Sequence, residues 1–354
     1  MSQSRIDGHY PGDAMNHKTM RPYIFIDGLN VFIRHYLVNE TLNSKSEPIG
    51  GAVGFLKFVD YITRVMTPSK VFVVWESGGG SARRRSIFKE YKKDRGKIKE
   101  LKKIHNGTAS IRDQLANDEE CKIKQLSLIY KLLKNTPVCQ VFVSGTECDD
   151  IIAYLVKHQF SNNGDIEKIV VSGDKDFYQL LDDDTVKIYD PARKTLLDGD
   201  WVFKKFGIAP RNFCLARALV GDKSDNIEGV PGVGLKTVAK RFPDVADRTR
   251  DLNVDDILKT CDEQITSKAK QKVFKQIKES ESIVRRNWKL MFLSSNMLSG
   301  KEISKINYAV ESHEPKMNKV NLIKEVIANG ISIAFDYDTF STQMRMMASV
   351  SDSE

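Results

Sequence analysis

Nine acidic side chains in this sequence stand in short clusters drawn from distant parts of the chain: Asp27, Glu76, the trio Glu147, Asp149 and Asp150, the pair Asp174 and Asp176, and the pair Asp222 and Asp225. Each cluster alone has an ordinary reading. Asp27 suits a helix cap, Glu147 to Asp150 an acid-rich first helical turn, Asp174 and Asp176 another, and Asp222 and Asp225 a loop. Together they describe something else. Like charges gathered at one place repel and cost stability, and divalent cations remove that cost. Magnesium prefers carboxylate oxygen and retained water, and none of the six histidines falls in these clusters. Two such ions about 4 Å apart can activate a water and stabilise the leaving oxygen of a phosphodiester.

Two further features point to a polyanion. Between Arg83 and Lys103 stand eleven Lys or Arg residues against Glu90, Asp94 and Glu100, so this window carries the whole net charge of +8. Charge concentrated in one segment is what a nucleic-acid contact requires, although a solvated helix face also fits. The stretch GDKSDNIEGVPGVGLKTVAKRF, Gly221 to Phe242, places Gly229, Gly232 and Gly234 around Pro231 before a helix starting at Leu235. Such a turn offers backbone N–H groups and a helix N-terminus to a phosphate. Lys236, Lys240 and Arg241 add charge without base specificity.

The elements that must position these residues alternate. Pro22 to Asp27 (PYIFID) and Lys70 to Glu76 (KVFVVWE) read as buried strands ending in an acid, with Gly51 to Met66 helical between them. Glu120 to Leu133 reads as a helix, Val138 to Val143, Lys168 to Ser172 and Thr185 to Tyr189 as strands, and Ile151 onward as an apolar helix. Strands separated by helices predict an α/β fold with a mostly parallel sheet flanked by helices. In such sheets ligands bind beyond the C-terminal strand ends, which is where the acids fall. The expected organisation is a flexible leader at 1–21, a core at 22–198, a helical region at 199–293 and a C-terminal extension at 294–354, with a further helix near Lys316 to Ala328.

The composition is that of a water-soluble globular chain, 41% hydrophobic and 29% charged over 354 residues. No apolar run is long enough for a membrane span. Cys121, Cys139, Cys148, Cys214 and Cys261 form no C-x-x-C pair, which argues against a zinc or disulfide framework and for a reducing compartment. A polar N-terminus predicts a cytoplasmic protein, in the host cytoplasm if it is phage-encoded.

The order IDGLN, YKKDR, TECDD, SGDKDFYQL and GDKSDNIEGVPGVGLKT resembles the 5′-nuclease/flap-endonuclease superfamily, over about Tyr23 to Phe242. That family includes stand-alone phage 5′-3′ exonucleases and the 5′-nuclease domain of bacterial DNA polymerase I. The resemblance implies a PIN-like core holding two metal ions (Mg²⁺, with Mn²⁺ as a substitute), an overhanging helical arch at 82–118, and a duplex-binding helix–three-turn–helix at 218–242. It assigns the metal to Asp27, Glu147, Asp149, Asp150, Asp174, Asp176, Asp222 and Asp225. Glu76 stands where relatives carry an aspartate; it keeps the carboxylate one methylene farther out and is counted as a further metal ligand, direct or through water. Tyr91, Lys92 and Arg95 match the arch motif, with Arg84 a companion, and Arg84 and Lys92 are the implied phosphate stabilisers. Gly229, Gly232, Gly234 and Lys236 match the duplex-binding element, which in relatives also holds a monovalent cation such as K⁺. Cys148 replaces a common alanine and reads as a small buried residue.

The implied activity is a structure-specific 5′ nuclease, exonuclease and flap endonuclease, acting on DNA with a 5′ flap, nick or free 5′ end, or on the RNA primer of an RNA–DNA hybrid. A single-strand-binding protein or a clamp is a candidate partner. Two rivals differ in class. A PIN-type ribonuclease would share the acids but lack the GDKSDN-to-GVGLKT element, and a non-catalytic DNA-binding scaffold would have lost carboxylates.

Overall fold

The computed structural model describes residues 20–76, 78–93, 119–267, 272–294 and 297–351. At its centre is a six-stranded sheet ordered β3-β2-β1-β4-β5-β6. Its strands are β1 (Tyr23–Asp27), β2 (Lys70–Trp75), β3 (Cys139–Phe142), β4 (Lys168–Val171), β5 (Val186–Asp190) and β6 (Thr195–Leu197). All neighbours pair in parallel except β5 with β6. β1 (YIFID) and β4 (KIVV) are buried at every position, as runs of Val, Ile and Phe become when both faces of a parallel sheet are covered.

Alternation along these strands divides the core. Tyr23, Phe25, Phe72, Val74 and Val170 face one layer, and Ile24, Ile26, Val71, Val73 and Val171 the other. The second layer is covered by α1 (Gly28–Tyr36), α2 (Gly50–Met66) and α4 (Glu119–Leu133). The first is covered by α5 (Cys148–Tyr154), which a π-turn at Leu155–Gln159 extends, and by α6 (Gly199–Phe206) and α7 (Phe213–Val220). Beyond these stand α8 (Leu235–Arg241), α9 (Val254–Thr266), α10 (Lys272–Glu279) and α11 (Glu281–Met291).

The chain begins in the middle of the sheet, builds outward through β2 and β3, then returns to the other side of β1 with β4. That reversal opens a crevice at the C-terminal ends of β1 and β4. Asp27 ends β1, and Gly173 and Asp174 follow β4.

Some elements were not foreseen. α1 starts directly on β1, because the Asp27 side chain caps it by accepting from Asn30 N at 3.0 Å. β6 is a three-residue antiparallel edge. The segment expected as an extension forms α12 (Gly300–Glu311), α13 (Lys319–Ala328), which is the helix expected near Lys316 to Ala328, and α14 (Tyr337–Ser351). It packs into the core rather than standing apart: Ile306 joins the first layer, and Leu322, Val326, Phe340 and Met344 the second. The apolar core also runs through position 198 without a break, from Leu197 to Val202. Among the described residues no helix is long and apolar enough to cross a membrane.

Candidate active site

At the crevice lies a cavity of about 550 Å³ lined by Asp27, Asn30, Glu76, Lys92, Glu147, Asp149, Asp174, Arg217 and Asp222, among others. Asp27 is 7% exposed. Its Oδ1 accepts from the Asn30 amide and its Oδ2 from the Ser172 hydroxyl at 3.1 Å. The same hydroxyl accepts from Asp174 N at 3.1 Å, so Ser172 ties the ends of β1 and β4 together. Asn30 completes the frame by accepting from Gly173 N at 3.3 Å. Asp174 in turn caps a 3₁₀ turn, Lys175–Leu180, accepting from Asp176 N at 2.9 Å.

These carboxylates repel one another. Burial, and then the charges of Asp174 and Glu76, push Asp27 up to about 6. Burial and Asp174 push Asp149 well above the usual carboxylate range, with Lys92 opposing. Oxygens of Asp27 and Asp149 and the Cys148 sulfur lie within 4.8 Å of one another. The Cys148 thiol donates to Val74 O at 3.4 Å, and burial together with Asp27 and Asp149 raises its pKa well above normal. The sulfur is engaged by that backbone contact, and the carboxylate oxygens of Asp27 and Asp149 beside it are hard donors of the kind that divalent cations take up.

Beside this open group is a closed one. Arg84, on α3 (Ala82–Ile87), is 3% exposed and forks onto Asp150 at 2.7 and 2.8 Å. Its Nη1 also lies 3.1 Å from Glu147 Oε2, and its Nε donates to Leu290 O at 2.7 Å. Burial works against the charge, but Asp150 and Glu147 hold the guanidinium above its usual basicity. Glu147 Oε2 also accepts from Lys92 Nζ at 2.8 Å and from the Tyr91 hydroxyl at 3.1 Å. Burial raises the Glu147 pKa less than Arg84 and Lys92 lower it.

Three of the expected site residues stand off the cavity wall. Arg84 has its donors committed to buried acceptors, is not among the cavity-lining residues, and clamps α3 to α5 and α11. Asp150 has both oxygens occupied by that fork, which removes it from the set facing the cavity. Tyr91 is 3% exposed and packed with Cys214, Ile227, Leu290 and Met291, away from the cavity wall. Lys92 does line the cavity. Its backbone takes the left-handed region (φ 58°), and its N donates to Asp225 O at 2.9 Å. Arg95 and residues 94–118 of the expected arch lie outside the described residues.

Asp176, Asp222 and Asp225 gather on the other side of the crevice. Arg217 donates to Asp176 Oδ1 at 3.2 Å and, over a short contact, to Asp222 Oδ2. Burial raises Asp222 less than Arg217 and Ser224 lower it, so it stays below its usual range. Burial and Asp174 push Asp176 up to about 7, with Arg217 opposing. Asp225 is buried, and neither it nor Asp176 is among the cavity-lining residues.

The three turn glycines separate. A Cβ on Gly229 would stand 2.1 Å from Val220 O, so this glycine is required by chain packing rather than by a ligand. Gly232 (φ 74°) and Gly234 face open space, with nothing within 4 Å of such an atom. Gly234 precedes α8, and Lys236 is exposed.

Sequence reasoning missed Asn30, Ser172 and Arg217. Asn30 and Ser172 lay inside quoted or adjacent motifs, three residues after Asp27 and two before Asp174. Arg217 carried no signal beyond its place five residues before Asp222.

The sequence model of a family described as "5′-3′ exonuclease, N-terminal resolvase-like domain" matches residues 22–207. The 5′-3′ exonuclease of Buchnera aphidicola (subsp. Acyrthosiphon pisum) is 30% identical over 226 residues, covering 63% of this chain and 70% of that protein. The thermostable DNA polymerase I of Thermus thermophilus is 28% identical over 218 residues, 61% of this chain but 23% of the polymerase. The fold is similar to that of the bacteriophage T5 flap endonuclease, solved as a pseudo-enzyme–product complex with DNA and metal ions. That similarity has a TM-score of 0.59 at 21% identity and covers 93% of this chain and all of the other.

Proposed function

This chain belongs to the 5′-3′ exonuclease family, a group of phosphodiester-cleaving nucleases, and from that premise we propose that it is a metal-dependent nuclease cutting DNA near branch points and free 5′ ends. The observation that carries the reading is the open acid group. Asp27, Asp149, Asp174 and Glu76 converge on one cavity at the sheet's switch point with too little positive charge from the protein to balance them.

Asp27, Glu76, Asp149 and Asp174 would hold one magnesium ion, and Asp176 and Asp222 a second. When bound, such ions supply an activated water and charge neutralisation for the departing oxygen. The chain's own residues do the rest. Ser172 and Asn30 fix Asp27 against Asp174, so the oxygens need little reorganisation. Lys92, held against Glu147, keeps a positive charge at the cavity wall where a non-bridging phosphate oxygen can meet it. Gly232, Gly234 and Lys236 offer an open backbone and a charge to the duplex phosphates, and this turn is where we would assign a monovalent cation such as K⁺.

The substrates we assign are 5′-flapped, nicked and 5′-ended DNA, with RNA primers on DNA as a further class, and a single-strand-binding protein or clamp is the partner we would look for. Flap, nicked and RNA-primed duplexes carrying 5′ or 3′ label test this. Magnesium-dependent product ladders that manganese sustains and EDTA abolishes are expected. Absence of cleavage on all of these substrates would overturn the reading.

A further inference from the structure

Arg217 takes no part in the mechanism above, yet its place is specific. It leaves α7 two residues before the Leu219–Val220 end, is 7% exposed, and lines the same cavity as Asp27 and Asp149. Its fork spans two parts of the chain: Nε reaches Asp176 Oδ1 at 3.2 Å, Nη2 the Asp222 carboxylate, and Nη1 Gly221 O at 3.4 Å. A planar guanidinium suits such a bridge, because its donors are pre-arranged and its charge is permanent.

The two sides of the cavity are therefore unequal. Around Asp27 and Asp149 the cations on the cavity wall are Lys92, which is committed to Glu147, and Lys175, and neither forks between two of these carboxylates as Arg217 does. Between Asp176 and Asp222 a full positive charge already sits in contact with both. A divalent ion arriving there must share these oxygens with the fork or displace it, and repulsion between the two cations at contact distance is large away from bulk water.

We propose that Arg217 is a positioning residue: it holds Asp176 and Asp222 in register and makes their side of the cavity the weaker of two divalent-cation sites. This rests on the reading that the cavity binds divalent cations.

Calorimetric titration of the EDTA-stripped full chain with Mn²⁺ alone, without DNA, tests it. The native chain should take one tight equivalent and a second at least about tenfold weaker. Arg217→Met should tighten the second equivalent by about tenfold or more. Arg217→Lys, which keeps the charge but not the fork, should leave the second equivalent weaker than in Arg217→Met. Melting curves in EDTA establish that each variant is folded; should Arg217→Met not fold, Arg217→Gln carries the same expectation. A folded neutral variant whose isotherm superimposes on the native one would overturn the proposal, as would a lysine variant that behaves like the neutral one. A native chain taking up no Mn²⁺ would instead remove the metal reading itself, and this inference with it.

Discussion

Asp149 and Asp150 are neighbours on α5, and they belong to opposite kinds of site. Asp149 faces the cavity with Asp27 and Asp174, and its pKa is driven up by burial and by their charges. Asp150 is sealed against a buried arginine, both oxygens satisfied. The first arrangement is unfavourable in the protein alone and becomes favourable with a cation. The second is complete without any ligand and is costly only when one partner is removed. At these two neighbours, unbalanced charge goes with the cavity and balanced charge with the scaffold behind it; the Asp176–Arg217–Asp222 bridge stands between the two cases.

The largest effect should come from the open group. Asp174→Asn should lower the rate of cleavage by about 10³-fold or more, because the acid that abuts Asp27 no longer contributes to charge neutralisation. Its thermal midpoint in EDTA should be unchanged or higher, since a repelling charge is gone. Near-native cleavage by this variant, measured under single-turnover conditions, would break the distinction.

Arg84→Met attacks the closed group. It leaves Asp150 buried and unpaired and strips Glu147 of one cation, so urea unfolding should show a loss of about 3–5 kcal/mol. A variant as stable as the native chain would mean that the clamp is not structural.

Acidity separates the two groups further. In metal-free protein, Asp27 and Asp176, held at about 6 and about 7, bind protons that the unfolded chain has already released. Stability should therefore rise as pH falls from 7.5 toward 5.5, and the slope should vanish with saturating Mg²⁺. Glu147, held below its usual range, acts in the other sense: its contribution is present at neutral pH and is lost only as pH falls below the usual glutamate range. His35, whose pKa burial lowers, opposes the first trend. The slope is accordingly read as the difference in thermal midpoint between the native chain and Asp27→Asn. A difference that does not change with pH would contradict the assignment.

The smallest effect concerns the glycine turn, where open and closed positions also alternate. Gly234→Val should weaken duplex binding by about tenfold or less at moderate salt, by blocking close approach of a phosphate, and leave stability nearly untouched. Gly229→Ala should cost stability instead, because its Cβ meets Val220 O. Duplex affinity and thermal midpoint measured on both variants separate the two roles.

The sheet was legible because buried parallel strands leave unbroken runs of Val, Ile and Phe, and because an acid closes β1 and another follows β4 at the switch point. The candidate acids were legible by type and spacing. Their division was not. Successive residues of a helix point about 100° apart, so Asp149 and Asp150 read as one motif although one meets the cavity and the other Arg84, whose bond to it spans 66 positions. Tyr91 and Arg84 sat in a basic run that suggested exposure, and only tertiary packing against Leu290 and Met291 buries them. In the tail from 294, α13 was legible and α12 was not, because α12 buries Ile306 alone.

The most direct test sets Asp149→Asn beside Asp150→Asn, comparing single-turnover cleavage of a 5′-flapped duplex in Mg²⁺ per folded molecule. The same substitution one residue apart should give opposite outcomes. Asp149→Asn should lose about 10³-fold in rate with an undiminished thermal midpoint in EDTA. Asp150→Asn should keep its rate within about tenfold while its midpoint falls. Equal losses of rate at the two positions, or a native rate for Asp149→Asn, would contradict the claim that unbalanced carboxylates form the catalytic centre.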